Sequence, residues 1–230
     1  MMAVGSPREA AERPPALAAD FVISAAAAHQ FPEPLWPEIA LLGRSNAGKS
    51  SLLNRWLGRK GLAKVGAIPG RTRLINFFQV TWNKTDQPFM LADLPGYGFA
   101  AAPKAMVKGW RQLVADYLEA GRPLKMALLL MDIRREPCED EFGLLEWLCS
   151  LNIPARVIAT KADKLKGGER AKQLAELKKI FENRCGEKSG LLLQPPLAFS
   201  STTALGRHAL IEALIDSGLL TSGLDTDSQF

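Results

Sequence analysis

Residues 43–50 read GRSNAGKS, the spacing G-x-x-x-x-G-K-S, directly after the apolar run IALL. This order of residue types can wrap phosphates. Gly43 and Gly48 leave the backbone bare, so the successive N–H groups of Arg44, Ser45, Asn46 and Ala47 can face phosphate oxygens. A helix opening at Lys49 would add its positive end to the same place. Lys49 would bridge the β- and γ-phosphates, and the Ser50 hydroxyl would serve Mg2+. The pattern is specific for a nucleoside triphosphate and silent about the base.

Three later stretches bear on that base and on the metal. In LADLPGYG (91–98), Asp93 ends an apolar run, where a carboxylate can hold a Mg2+-bound water, and Gly96 leaves an N–H free for the γ-phosphate. Asp-x-x-Gly alone is an ordinary turn; its position after the phosphate loop gives it weight. In ATKAD (159–163), Asp163 would accept from the N1–H and 2-amino group of guanine, and Lys161 would lay its stem over the ring. Adenine lacks that amino group and would leave the carboxylate unpaired. FSS (199–201) follows the last apolar run, where Ser201 or its N–H could meet the guanine carbonyl. Between the loop and Asp93, AIPGRTRLINFF offers Thr72 as the second Mg2+ ligand, engaged only when the γ-phosphate is present. The segment from about Gly58 to Arg73 would then order with GTP and loosen with GDP. Lys49, Thr72 and Gly96 surround the γ-phosphate in this reading and carry the catalysis.

These residues need rigid elements to hold them. PEIALLG (37–43), LKMALLLMD (124–132) and ARVIAT (155–160) are short continuous apolar runs, as expected of strands covered on both faces. LINFFQVTW (74–82) and PFMLADL (88–94), joined by NKTDQ, read as a hairpin. LLLQPPLAF (191–199) supplies a final strand that Pro195 and Pro196 confine to an edge. Helical patterns alternate with them: KSSLLNRWL, KAMVKGWRQLVADYLEAG, EDEFGLLEWLCSL, RAKQLAELKKIFENR and TALGRHALIEALIDSGLL. The alternation predicts a three-layer α/β P-loop NTPase of the Ras-like G-domain type. Its sheet is mostly parallel with one antiparallel strand, and helices cover both faces. Residues 1–20, rich in Ala and Pro, read as a disordered leader, 21–219 as the G domain and 220–230 as a flexible tail.

The totals exclude several alternatives. A chain of 230 residues, 47% hydrophobic and 23% charged, has the material for one globular domain and no run long enough to span a membrane. Cys138, Cys149 and Cys185 are scattered, and His29 and His208 lie far apart, so neither a disulfide framework nor a zinc site is expected. No secretory signal opens the chain, and it reads as cytoplasmic. The net charge of +5 is unevenly spread: Ile39 to Thr85 holds no Asp or Glu but nine of the 29 Lys and Arg. A field of one sign around the phosphate loop suits a polyanion, nucleotide or nucleic acid, though a basic solvated face gives the same count.

GRSNAGKSSLLN, PGRT, DLPGYGFA, TKADK and FSS together closely resemble the EngB (YsxC/YihA) family of bacterial TRAFAC-class GTPases, as do FVISAA (21–26) and MDIRREP (131–137). The resemblance covers about residues 21–218. It implies GTP or GDP contacts at Gly43, Arg44, Ser45, Asn46, Ala47, Gly48, Lys49 and Ser50. It adds Gly70, Arg71, Thr72, Arg73 and Leu74, then Asp93, Leu94, Pro95 and Gly96. Thr160, Lys161, Ala162, Asp163, Phe199, Ser200 and Ser201 complete the set, with Mg2+ at Ser50 and Thr72. It further implies a role in large ribosomal subunit assembly and a requirement in normal cell division and septation.

Two positions shape the expected mechanism. Tyr97 stands where Ras-like enzymes carry a water-orienting glutamine, so hydrolysis by the isolated protein should be slow. Asn46 resembles the asparagine that holds K+ in potassium-stimulated GTPases; it is equally a residue suited to the turn. Trp110 falls on an apolar helical stripe and reads as core rather than a base-stacking platform, with Lys108 and Arg111 beside it. The basic residues between 55 and 73 are the better candidates for ribosomal RNA contacts. A monomer is the default, since no heptad repeat occurs. A binding module with negligible hydrolysis and an ATP-using kinase are the competing readings, the second opposed by Asp163.

Overall fold

A computed structural model of the chain describes residues 17–58, 74–82, 88–97, 104–189 and 193–219. Its seven strands are β1 (Leu17–Ala25), β2 (Glu38–Gly43), β3 (Ile75–Trp82), β4 (Pro88–Asp93), β5 (Leu124–Asp132), β6 (Ala155–Thr160) and β7 (Leu193–Ala198). They form one sheet in the order β1-β3-β4-β2-β5-β6-β7. β3 runs antiparallel to both its neighbours, and every other pairing is parallel. The expected α/β architecture with a single antiparallel strand is therefore the one observed.

Among the described residues four α-helices connect strands, α1 (Lys49–Trp56), α2 (Lys104–Leu118), α3 (Glu139–Ser150) and α4 (Gly167–Ser189), and α5 (Arg207–Asp216) follows β7. Strand alternation sorts the core into two layers. Ile39, Leu41, Leu91, Leu128, Leu130 and Ile158 face Leu52, Leu53 and Trp56 of α1 and Leu210, Ile211 and Leu214 of α5. Ala40, Leu42, Phe77, Ala92, Leu129 and Val157 face Leu113, Val114 and Tyr117 of α2, Leu145 and Leu148 of α3, and Leu177 and Phe181 of α4. An eight-residue helix such as α1 is marginal alone in water. Burial of Leu52, Leu53 and Trp56, at about 1.5–3 kcal/mol for each such side chain, holds it and fixes where its N-terminus points.

β1 is the element that periodicity did not disclose. It begins at Leu17, inside the stretch 1–20 expected as a disordered leader, so Leu17–Asp20 belong to the sheet. Leu17 and Ala19 are buried, while Phe21 and Val22 remain exposed, as an edge strand permits. β7 forms the opposite edge, and Pro195 and Pro196 lie within it. The expected tail, 220–230, falls outside the described residues.

At the amino ends of the central strands, Glu38 is 1% exposed. Arg122 reaches it with Nη2 at 2.6 Å from Oε1 and Nε at 3.0 Å from Oε2, while the Tyr117 hydroxyl donates to Oε2 at 2.8 Å. The guanidinium lies 5.7–5.8 Å from the ring centres of Phe31, Phe77 and Tyr117. Removing one partner of a buried pair strands the other charge. Arg122→Ala should thus cost about 3–5 kcal/mol in denaturant unfolding, yet leave nucleotide affinity of the folded fraction unchanged, because the pair stands at the pole away from residues 43–50.

Candidate functional site

The phosphate loop leaves β2 at Gly43 and enters α1 at Lys49. A Cβ on Gly43 would lie 2.6 Å from the Leu130 carbonyl oxygen, and its φ is +154°, so β2 and β5 can close up there only around glycine. Asn46 takes φ 65°, a left-handed conformation its short amide tolerates, and its side chain is exposed. Ala47 N–H donates to Arg44 O at 3.0 Å, which tightens the turn. Lys49 Nζ donates to Gly43 O at 3.0 Å. Enclosure lowers the Lys49 pKa, and the nearby Asp93 carboxylate opposes that shift. A lysine set across its own loop in this way is aimed where phosphate oxygens would sit.

Asp93 ends β4, 6% exposed. Burial raises its pKa to about 6, against the pull of Lys49 and of a hydrogen bond from Asn76. Its Oδ1 has no hydrogen-bond partner. A buried carboxylate oxygen left open beside Lys49, with the half-buried Ser50 following Lys49 in the first turn of α1, is a hard-oxygen donor set of the kind Mg2+ uses together with phosphate. Among the described residues no group of three or more His, Cys, Asp or Glu could hold a metal unaided. Phosphate oxygens would complete the shell.

After Asp93 the backbone runs over the loop. Leu94 N–H donates to Leu41 O at 3.0 Å, and Ser45 N–H donates to Tyr97 O at 3.0 Å. A Cβ on Gly96 would meet Lys49 Nζ at 3.0 Å and Ser45 N at 3.1 Å, so only glycine lets this turn lie so close to the ammonium. Leu94 and Pro95 are buried beneath it. Tyr97 turns its side chain away from the loop: its hydroxyl donates to Glu141 Oε1 at 3.1 Å, and its ring lies 6.3 Å from that of Trp110. Burial, then the Glu141 charge, raises the phenol pKa. Trp110 is half-buried against the core, as its spacing predicted, and its indole N–H also donates to Pro95 O at 2.9 Å.

The base-reading stretch begins at the end of β6. Thr160 Oγ1 lies 2.6 Å from Ala47 O and 2.9 Å from Met131 O. Lys161 adopts φ 57°, and its Nζ is 3.1 Å from Asp132 Oδ2. Arg134 braces the same carboxylate with Nε at 2.9 Å and Nη2 at 2.7 Å, and this pairing lowers the Asp132 pKa. Ala162 N–H donates to Phe199 O at 3.1 Å, joining the two stretches. Ser200, fully buried, donates from Oγ to Asp163 Oδ1 at 2.7 Å, the leading cause of a lowered Asp163 pKa. Thr202 and Thr203 N–H groups donate in turn to Ser200 Oγ, at 3.2 and 3.1 Å. Ser201 is half-buried beside it.

The structure thus assembles Gly43–Ser50, Asp93–Gly96, Thr160–Asp163 and Phe199–Ser201 at the carboxyl ends of the parallel strands. Leu74 is half-buried just before β3. Gly70, Arg71, Thr72 and Arg73 lie outside the described residues, and with them the expected second Mg2+ ligand. Three contributors escaped the sequence reading: Asp132, which clamps Lys161; Glu141, which takes the Tyr97 hydroxyl; and Asn76. MDIRREP and LINFF contain Asp132 and Asn76, but neither spacing announces a partner.

A phosphate loop joined through Thr160 to the Thr-Lys-x-Asp stretch that ends at Asp163 is the arrangement of a P-loop GTPase. The comparisons agree. A family model described as 50S ribosome-binding GTPase matches residues 38–161. The chain is 42% identical over 196 residues to a probable GTP-binding protein EngB of Pelotomaculum thermopropionicum, covering 85% of this chain and 93% of that one. It is 45% identical over 163 residues to its counterpart in Caldanaerobacter subterraneus subsp. tengcongensis, covering 71% and 81%. A crystal structure of a probable GTP-binding protein engB aligns with TM-score 0.59 at 23% identity, covering 78% of this chain and 97% of that one. Era in complex with MgGDPNP and a 16S ribosomal RNA fragment aligns with TM-score 0.61 at 22% identity, covering 79% and 56%. These two share the fold. The chain belongs to the EngB family of GTP-binding proteins, and GTP hydrolysis is its activity.

Asp163→Asn should replace an acceptor by an amide that matches the carbonyl of xanthine. GTP affinity should fall by about 10²- to 10³-fold, in line with the loss of a charged hydrogen-bond pair, and XTP should bind better than GTP. Fluorescent-nucleotide displacement checks it; retained GTP preference would remove Asp163 as the base reader.

Proposed function

We propose that this GTPase is a Mg2+-dependent switch that docks on the large ribosomal subunit or its precursor with GTP bound and leaves after hydrolysis. It would act in the cytoplasm as a monomer, with a requirement in normal cell division and septation following from the family. The observation that carries the reading is the bond by which Thr160, three residues before Asp163, meets the phosphate loop at Ala47, with that loop inside the basic run of Ile39–Thr85.

Several features support it. The matching family is described as ribosome-binding. Arg55 is exposed on α1, and Arg207 lies near enough that, after burial, Arg55 is what lowers its pKa. Two guanidinium groups crowded this way gain from a polyanion such as ribosomal RNA. No helix of the described residues is long and apolar enough to cross a membrane. Mg2+, when bound, neutralises charge developing on the phosphates. In this reading Ser50 and Thr72 hold it, Asp93 holds one of its waters, Lys49 reaches the β- and γ-phosphates, and Gly96 offers its N–H to the γ-phosphate. The Tyr97 hydroxyl, engaged by Glu141, does not orient water, so hydrolysis by the free protein is slow. That same engagement favours a second reading, a nucleotide-dependent binding module whose hydrolysis is negligible on the ribosome too.

Sedimentation with ribosomal subunits tests the docking. Co-sedimentation with the large subunit in a GTP analogue, lost in GDP and falling steeply with added salt, is the expected result; salt-insensitive binding would overturn the RNA contact. Single-turnover hydrolysis separates the two readings, since acceleration by subunits selects the switch and an unchanged rate selects the module. Run in K+ and then in Na+, the same assay addresses Asn46. A rate that falls in Na+ assigns Asn46 to a K+ site, and an equal rate returns it to a turn residue.

A further inference from the structure

Asn76 is a polar residue one position into β3, opposite Asp93, the last residue of β4, in the β3–β4 ladder. Ser24 stands opposite Asn76 in the β1–β3 ladder. Residues directly opposite one another share a face, so three polar side chains form a row across three strands. The row exists because of an irregularity. β1 shifts register between Phe21 and Ile23, with Val22 as the extra residue. Without that bulge Ile23 would oppose Asn76, and Ser24 would fall on the other face.

The hydrogen bonds run along the row. The Ser24 hydroxyl donates to Asn76 Oδ1 at 2.6 Å, and Asn76, directly opposite Asp93 in the ladder, is the side-chain hydrogen-bonding partner that pulls the Asp93 pKa down against burial. A carboxylate only accepts, so the amide nitrogen must be the donor. Reversal of the amide would set carbonyl oxygen against carboxylate, so the Asp93 charge selects this orientation and the Ser24 hydroxyl, donating to Asn76 Oδ1, holds the amide in it. Carboxyl torsions are broad wells, and a buried Asp93 without a fixed donor could present either oxygen. With the donor beside it the carboxylate is held in one orientation, and its Oδ1 is left without a partner.

We propose that Asn76, braced by Ser24, is a positioning residue that fixes the Asp93 carboxylate and reserves its Oδ1 for the water of a nucleotide-bound divalent cation. This rests on the reading that Mg2+ accompanies the nucleotide at Ser50 and Asp93. It assigns a task to one residue in each of two stretches, FVISAA and LINFF, that nucleotide contacts leave unexplained.

The test is release of a fluorescent GDP analogue from the full chain across a Mg2+ titration, a binding readout independent of turnover. Wild-type release should slow as Mg2+ rises, which gives a half-saturating concentration. Asn76→Ala should raise that concentration about tenfold, at the low end of the 10–100-fold typical of residues supporting a metal's ligands. Ser24→Ala should raise it by about threefold, and Ser24→Thr, which keeps the hydroxyl, should restore it. Release without Mg2+ and the thermal midpoint should change little in Ser24→Ala, which also decides the matter if Asn76→Ala fails to fold. Unchanged Mg2+ dependence in Ser24→Ala, with a normal wild-type response, overturns the relay alone. Wild-type release that ignores Mg2+ overturns the metal reading, and the relay with it.

Discussion

The hydroxyl of Thr160, within 3 Å of both the Ala47 and Met131 carbonyls, is the contact on which the site depends. It ties the turn of the phosphate loop to the carboxyl ends of β5 and β6. A nucleotide has a rigid base at one end and flexible phosphates at the other, and a protein that reads both must hold two distant subsites at one spacing. Here the spacing is set by a side chain bonded to the carbonyls of the loop and of β5. Thr160 lies three residues before Asp163, so a shift of the phosphate loop is passed on to that carboxylate. Residues 43–50 and 160–163 are therefore a coupled unit rather than two independent ones.

Around that unit the polar burial is lopsided. Glu38, Asp93, Asp132, Glu141, Thr160 and Ser200 are the buried polar or charged residues among those described, and only Glu38 lies at the amino ends of the parallel strands. Buried polar groups cost stability unless they are paired. Glu38 is fully paired and secures the fold. Asp93 keeps an open oxygen, and Asp132 spends its charge on Lys161. At the carboxyl-end pole Asp93 Oδ1 is thus the buried polar atom whose desolvation the protein's own groups leave uncompensated, and apolar packing of α1 and α5 against the sheet offsets it. Open α/β sheets place ligands at this edge in general.

Much of this was legible in the sequence because it is local. GRSNAGKS encodes a backbone shape through its glycines, and continuous apolar runs such as LKMALLLMD encode double burial. Asp93 and Asp163 could be placed because each closes such a run. β1 was not legible. Its alternation is broken by the bulge at Val22, and an edge strand can leave Phe21 exposed. Nor were the pairs Tyr97–Glu141, Ser24–Asn76 and Asp132–Lys161, whose members lie 44, 52 and 29 residues apart, because nothing in the local spacing of either member records the other. Ser200 shows the intermediate case. FSS marked the place, but its outcome, a hydroxyl that orients Asp163, required the fold.

Tyr97 shows how such a long-range pair can govern chemistry. Glu141 accepts the phenol through Oε1 and the Cys138 N–H through Oε2, at 2.9 Å, so the same carboxylate closes the first turn of α3. Swinging the phenol toward the phosphates would strip a buried carboxylate of one partner and leave the hydroxyl to find another. Each loss costs about 1–3 kcal/mol. The backbone of the same residue meanwhile accepts from Ser45 within the loop. Tyr97 is thus a strut between the phosphate loop and α3. In the proposed mechanism Lys49 and the α1 N-terminus would stabilise phosphate charge, while the residue after Gly96, held by Glu141, would not orient the attacking water. A site divided in this way keeps nucleotide affinity intrinsic and leaves the rate of hydrolysis to whatever completes it.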